Sequence, residues 1–227
     1  MTAAFLFDVD GTLIDSVDLH AKAWQEALAH FGFHVRYDEV RGQIGKGGDH
    51  LMPVFVPQDQ LDRIGEQLEK YRGELFKRKY LPEVKPFPGV RDLFLRTKDD
   101  GYRVALASSA KGDELESYKR LMNISDLVDA ETSSSEVESS KPSPDVFEAV
   151  MDRVKVEPDA ALVVGDTPYD AIAAGRAGLR TVGVLCGGFP EHDLRQAGCI
   201  AIYRDPVDLL GRFDELARLL MRAPQTP

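Results

Sequence analysis

The sequence predicts an α/β fold: a doubly wound parallel sheet with an all-helical insertion after the first strand. Three observations carry this expectation. Short apolar runs closed by Gly, Ser or Asp recur along the chain, as strands do in a parallel sheet covered on both faces. From residue 87 onward these runs alternate with helical patterns, which is the order of βαβ units. From about 16 to 80 there is no convincing strand. There, apolar residues recur at helical spacing in Leu19, Ala23, Ala27 and Phe31, and again in Leu61, Ile64, Leu68, Tyr71 and Leu75.

In chain order, strands are expected at 5–7, 104–107, 127–130, 162–164, 181–185 and 200–203. Helices are expected near 89–100, 113–122, 144–154, 168–177 and 206–221. Asp15 and Ser16 precede the first inserted helix and can cap it. Pro82, Pro86 and Pro88 stiffen the return of the insert to the sheet. The expected organisation is therefore a core of residues 1–15 and 85–227 with a helical insertion of residues 16–84. Ser133, Ser134 and Ser135, with Ser139 and Ser140, read as a polar loop, and residues 223–227 as a frayed tail.

The chain has 227 residues, 43% hydrophobic and 29% charged, ordinary for a globular protein with a substantial core. Its 28 basic against 38 acidic side chains give a net charge of −10. That balance argues against generic nucleic-acid or anionic-membrane partners, and leaves room for a small anionic substrate at a locally positive site. Cys186 and Cys199 form neither a disulfide framework nor a C-x-x-C pair and read as small buried residues in a reducing compartment. The N-terminal apolar run is interrupted at once by Asp8 and Asp10, and no apolar stretch approaches the roughly 18 residues of a membrane span. A cytoplasmic protein is expected.

The most informative stretch is Phe5-Leu6-Phe7-Asp8-Val9-Asp10-Gly11-Thr12. An apolar strand ends in two carboxylates two residues apart, a spacing that points both to one side while the strand continues. The carboxyl ends of parallel strands are where ligands bind, and Gly11 lets the chain turn away. A second acidic strand end is Gly165-Asp166-Thr167-Pro168-Tyr169-Asp170. If the two strands are neighbours, Asp8, Asp10, Asp166 and Asp170 converge. Such a cluster needs protonation or a cation, and hard oxygen ligands without a His/Cys cluster point to Mg²⁺. Asp170 could equally be a first-turn helix acid. Ser108 and Ser109 follow the 104–107 strand and offer hydroxyls and N–H groups to an anion, or cap a helix. Pro142 biases Lys141 to an extended conformation just before a helix that Ser143 can cap and Pro144 can open.

Together Asp8-x-Asp10-Gly11-Thr12, Ser108, Lys141 and Gly165-Asp166-x-x-x-Asp170 resemble, in order and setting, the motifs of the haloacid dehalogenase superfamily. The resemblance covers essentially the whole chain, and the insertion point is similar to that of the helical-cap subgroup containing phosphoglycolate phosphatases and β-phosphoglucomutase. It implies phosphoryl transfer on a small phosphorylated metabolite. Asp8 would be the nucleophile that forms an aspartyl-phosphate and Asp10 the general acid and base, while Ser108 and Lys141 would hold the transferring oxygens. Mg²⁺ would be held by Asp8, the Asp10 carbonyl and Asp166, with Asp170 bound directly or through water. Family dehalogenases lack the second acid, so Asp10 points to phosphate chemistry, and Thr12 fits phosphatases better than the mutase.

Gly11, Thr12 and Ser109 are further candidates to bind substrate, as are His20 and Lys46 from the cap. His20 and Trp24 lie one helical turn apart and could face the cleft; a lone histidine is also commonly structural. Gly45-Lys46-Gly47-Gly48 is a flexible basic loop, but no strand precedes it and His50 takes the place of the last glycine of a dinucleotide fingerprint. His30 and His34 straddle Gly32 and are not read as a metal pair, and the run from Lys70 to Lys79 reads as a solvated helix face. Two alternatives stand beside the phosphatase. A β-phosphoglucomutase-like isomerase is disfavoured by Gly47-Gly48-Asp49, where an arginine clamp is expected, and by Gly165, where the mutase has an acid. A phospho-receiver needs neither Asp10 nor a cap.

Overall fold

A computed structural model describes residues 3–133 and 136–221. Ser134, Ser135 and the expected tail at 223–227 lie outside the described residues. The chain runs β1 (Ala4–Phe7), β2 (Ile14–Asp15), α1 (Val17–His30), α2 (Tyr37–Arg41), α3 (Gly48–Phe55), α4 (Gln58–Leu75) and β3 (Lys85–Pro86). It continues through α5 (Val90–Asp99), β4 (Arg103–Ala107), α6 (Gly112–Met122), β5 (Ala130–Thr132), α7 (Asp145–Val154), β6 (Ala161–Gly165) and α8 (Pro168–Arg176). It ends with β7 (Arg180–Val184), α9 (Glu191–Gln196), β8 (Ala201–Tyr203), α10 (Pro206–Gly211) and α11 (Phe213–Met221).

Six strands form one parallel sheet in the order β5-β4-β1-β6-β7-β8. Strand β1 is central, with Phe7 level with Leu106 of β4 and Val164 of β6. All four of its residues are buried, as a strand covered on both faces requires. Successive side chains alternate between faces. Phe5 and Phe7 join a cluster with Phe94, Tyr118 and Phe213, and Ala4 and Leu6 join one with Val146, Phe147 and Val150. The strand order reverses around β1, so the ends of β1, β4 and β6 open onto one crevice, the place where such sheets bind ligands.

The described elements between β2 and β3 are helical, and these two short strands pair antiparallel at the root of the insert. The insert has its own core, in which Val17, Ala21, Trp24 and Leu28 of α1 meet Val40, Leu51 and Leu68. Val17, Ala21, Trp24 and Leu28 thus make one face of α1 that packs within the insert, while Ala23 and Leu19 of the expected apolar spacing join the cluster that includes β1.

Three expectations change. The strand expected at 127–130 is Ala130–Thr132, because Leu127 packs into the core from a turn and pairing with β4 begins at Ala130. The helix expected at 206–221 breaks at Arg212, which leaves the helical region (φ −117°, ψ 29°) and turns the chain so that Phe213 enters the core. Ser16 stands at the N-cap of α1 but makes no capping bond, since its hydroxyl is engaged by Asp10. Cys199 is buried and Cys186 half-buried, and both are free thiols. Among the described residues no helix is long and apolar enough to cross a membrane.

Candidate active site

Asp8 leaves the end of β1 with its backbone N–H still bonded to Val164 O, which fixes the carboxylate over the crevice. The chain then folds tightly, Leu13 N–H and Ile14 N–H both reaching Val9 O. Gly11 makes that turn at φ +84°, and a Cβ there would sit 2.3 Å from Asp166 Oδ2. Left-handed backbone and close approach to a carboxylate both require glycine here.

Three strand ends and one loop converge on Asp8. Lys141 is fully buried, and its Nζ lies 2.5 Å from Asp8 Oδ1, 2.8 Å from Asp170 Oδ1 and 2.8 Å from Ala107 O at the end of β4. Thr12 Oγ1 is 3.1 Å from Asp8 Oδ2 and 3.1 Å from Asp166 Oδ1. A hydroxyl carries one proton, so it can donate to only one of them at a time. Asp170 Oδ2 accepts from Thr167 N–H at 3.0 Å and Thr167 Oγ1 at 2.7 Å, a reciprocal cap that opens α8. Asp170 is therefore both a helix-cap acid and the second anchor of Lys141.

The electrostatics of this cluster are unbalanced. Burial pushes the Asp8 carboxyl up to about 7, against the pull of Lys141 and with a further push from Asp170 and Asp10. Burial, then Asp8 and Asp170, drive Asp166 well above the carboxylate range. Burial opposes the charge on Lys141, but Asp170 and Asp8 outweigh it and hold the ammonium above its ordinary value. Three ionised carboxylates against one ammonium would leave two negative charges in a buried site, a repulsion that adds to burial in raising Asp8 and Asp166. Ligand oxygens of Asp8, Asp166 and Asp170 lie within 4.8 Å of one another, and Asp166 Oδ2 is buried without a hydrogen-bond partner. An orphaned oxygen beside hard donors and carboxylates that repel one another fit a divalent cation.

Asp10 faces a second group. Its Oδ1 accepts from Ser16 Oγ at 2.5 Å and lies 2.8 Å from His20 Nε2. Burial works against the Asp10 carboxylate, but His20, Ser16 and Arg72 outweigh it and hold it below its usual range. His20 stacks on Phe76 (4.0 Å, 7°), with Tyr118 Oη 3.2 Å from Nε2 and Arg72 2.7 Å from Nδ1. Tyr118 donates in turn to Glu114 at 3.0 Å. Burial, with Asp10 and Glu114 alongside, keeps that phenol protonated far above neutral pH.

Both groups open onto a cavity of about 420 Å³ between sheet and insert. Asp8, Asp10, His20, Trp24, Lys46 and Ser109 line it, together with Glu69, Arg72, Lys111 and Glu114. Ser108 is buried at the end of β4 with its Oγ accepting from Ala110 N–H at 3.0 Å. Ser109 Oγ reaches Gly45 O at 3.5 Å. Lys46 donates to Gln43 at 2.5 Å and rides 4.8 Å over the Tyr169 ring. Every residue expected at the site thus falls in or beside one crevice.

Sequence reasoning missed Arg72, Glu114 and Tyr118. Arg72 belongs to the 70–79 run expected to be a solvated face. Instead it lies between Leu68 and Phe76 on the buried stripe of the helix, its guanidinium 5.1 Å from the Trp24 ring. The signal was in the spacing, since Leu68, Arg72 and Phe76 recur every four residues. Glu114 likewise sits among Leu115, Tyr118 and Met122 on the buried face of α6.

The sequence matches the haloacid dehalogenase-like hydrolase family over residues 5–184, most of the chain. The chain belongs to this family. The phosphorylated carbohydrates phosphatase of Thermotoga maritima is 26% identical, covering 94% of this chain and 99% of that protein. The phosphoglycolate phosphatase of Aquifex aeolicus is 30% identical over 80% of this chain and 84% of its own length. Among solved structures, a hydrolase from Pseudomonas syringae is 27% identical and superposes with a TM-score of 0.85, covering 95% of this chain and 99% of that one. As in other haloacid dehalogenase-like hydrolases, this chain's sheet is an α/β core of parallel strands with flanking helices.

Proposed function

We propose that this haloacid dehalogenase-like hydrolase is a Mg²⁺-dependent phosphatase that cleaves a small phosphorylated metabolite, similar to phosphoglycolate or a sugar phosphate, through an aspartyl-phosphate on Asp8. The observation that carries this reading is the convergence of Asp8, Lys141 and Asp166 at one end of the sheet, with Asp10 beside them at the mouth of a cavity. In this reading residues 16–84 are a cap that closes over the substrate.

Asp8 attacks phosphorus and displaces the alkoxide, dividing hydrolysis into two easier displacements. Lys141 neutralises charge on the nucleophile and on the transferring oxygens. Ser108 and the N–H groups that follow it receive another phosphoryl oxygen, at a crevice bordered by the N-terminal end of α6. Asp10, held ionised in the free site by His20, Ser16 and Arg72, would take up a proton as the anionic substrate enters, give it to the leaving oxygen, and then take one from the water that opens the acyl-phosphate. Ser16 and His20 hold one oxygen of that carboxyl, so the other is left to face the reaction. Asp8, Asp166 and the Asp10 carbonyl would hold Mg²⁺, with Asp170 next to them, and the ion would offset repulsion between phosphate and carboxylates. Trp24, Lys46, Glu69 and Arg72 would contact the rest of the metabolite.

Phosphate release from a panel of phosphorylated metabolites, with and without Mg²⁺, tests the reading. Saturable hydrolysis of at least one small monoester is expected. Inertness toward the whole panel in a folded preparation would overturn it.

A further inference from the structure

Three residues at the start of the inserted helix α3 touch two residues of the core that lead straight into Lys141. Gly47 N–H donates to Ser140 Oγ at 2.9 Å. The Asp49 carboxylate accepts from Ser140 N–H at 3.0 Å through one oxygen and from the Ser140 hydroxyl through the other. His50 Nε2 lies 2.9 Å from Ser139 Oγ. Ser139 N–H is itself fixed to Asp145 at 3.1 Å. Ser140 is buried, and the next residue is the fully buried Lys141.

Gly47 carries a separate indication that this contact is built. Its backbone is extended (φ −74°, ψ 171°), a conformation open to any residue, so local geometry does not demand glycine. What excludes a side chain is the contact, because a Cβ at position 47 would lie 2.3 Å from Ser140 Oγ and 2.5 Å from Ser140 Cβ. The missing Cβ is what allows the insert's backbone to reach Ser140.

We propose that Gly47 and Asp49 form a docking clip on Ser140, and that seating the clip sets the backbone that aims Lys141 at Asp8. Asp49 is thereby a positioning residue for phosphoryl transfer. Two donors from one serine converge on one carboxylate, and bonds to an ionised acceptor are the strong ones. The clip forms only when the insert lies on the core, so substrate enclosure and alignment of Lys141 become one event. The kinetic part of this inference rests on the phosphatase reading; the clip does not.

The test uses the full chain. Hydrogen exchange of Asp49→Ala is expected to accelerate in peptides spanning 42–50 and 138–143 and to stay unchanged in the central strands. Unchanged exchange at 138–143 would overturn the clip. With p-nitrophenyl phosphate, Asp49→Ala, Ser140→Ala and Gly47→Ala should each lower kcat by about tenfold or more, as small misplacements of catalytic groups do. The Asp49→Ala/Ser140→Ala double variant should lose no more than either single, and Asp49→Asn should recover part of the rate. Multiplicative losses, or a change in KM alone, would refute coupling to Lys141. If the wild-type chain releases no phosphate, the phosphatase reading fails while the exchange measurement still decides the clip.

Discussion

Lys141 Nζ and Asp8 Oδ1 are 2.5 Å apart in a fully buried contact between residues 133 positions apart in the chain. Asp170 holds the same ammonium from its other side at 2.8 Å. A buried lysine between two carboxylates stays charged. In this arrangement, with the insert seated on the core, the nucleophile has its counter-charge beside it. Lys141→Met should lower kcat by at least about a hundredfold, the scale of losing a charge-stabilising donor. It should also lower the metal-free melting temperature, because carboxylates are left buried without their partner. Phosphate-release kinetics and calorimetry measure the two effects.

Asp8→Asn removes one negative charge from a cluster that has too many. The fold should therefore survive, with a melting temperature equal to or above wild type, while turnover falls by at least about a thousandfold. Near-normal turnover in a preparation free of contaminating phosphatase would sink the nucleophile assignment.

Stripping divalent cations with EDTA should abolish turnover, and Mg²⁺ should restore it. The same addition should raise the melting temperature in a concentration-dependent way, since an ion that binds only the folded cluster stabilises by mass action. Asp166→Asn should remove most of that stabilisation. Activity that persists after exhaustive chelation would refute the cation site.

Arg72 sets the tautomer of His20. A guanidinium only donates, so His20 Nδ1, 2.7 Å from Arg72, must accept, and the ring proton must sit on Nε2 facing Asp10. Ring ¹⁵N shifts of His20 should show the Nε2–H form in wild type and a mixture in Arg72→Ala. Arg72→Ala should also lower kcat by about tenfold, since Asp10 loses a fixed donor. A wild-type ring protonated on Nδ1 would contradict the geometry.

Glu136 gives a pH prediction away from the reaction. Arg153, then the Ser133 N–H and hydroxyl, hold its carboxyl down to about 2. A depressed carboxylate stabilises the fold fully above its ordinary value of about 4.3 and loses that contribution as pH falls through its folded value. Wild type should thus exceed Glu136→Gln in melting temperature near neutral pH, and the gap should close as pH falls from about 4.5 toward 2. The pair is partly exposed, so the gap should correspond to less than about 1 kcal/mol. A gap that widens in acid would be the wrong sign.

Much of this protein was legible in its sequence. The run from Phe5 to Thr12 determined a buried strand ending in paired acids, because an unbroken apolar run, two acids at its end and a turn glycine are local features. The apolar spacings along α1 and α4 likewise determined that the insert is helical. Only the tertiary structure decided which of the 38 acids face one another. It seated Lys141 between Asp8 and Asp170, turned Ser16 from a cap into a partner of Asp10, and drew Arg72 from an expected solvated face onto His20. Such choices depend on packing between elements distant in sequence, where the charge on a side chain says less than the neighbours the fold brings to it. The same reason hid the contact of Gly47 and Asp49 with Ser140, since neither segment carries a signal of the other.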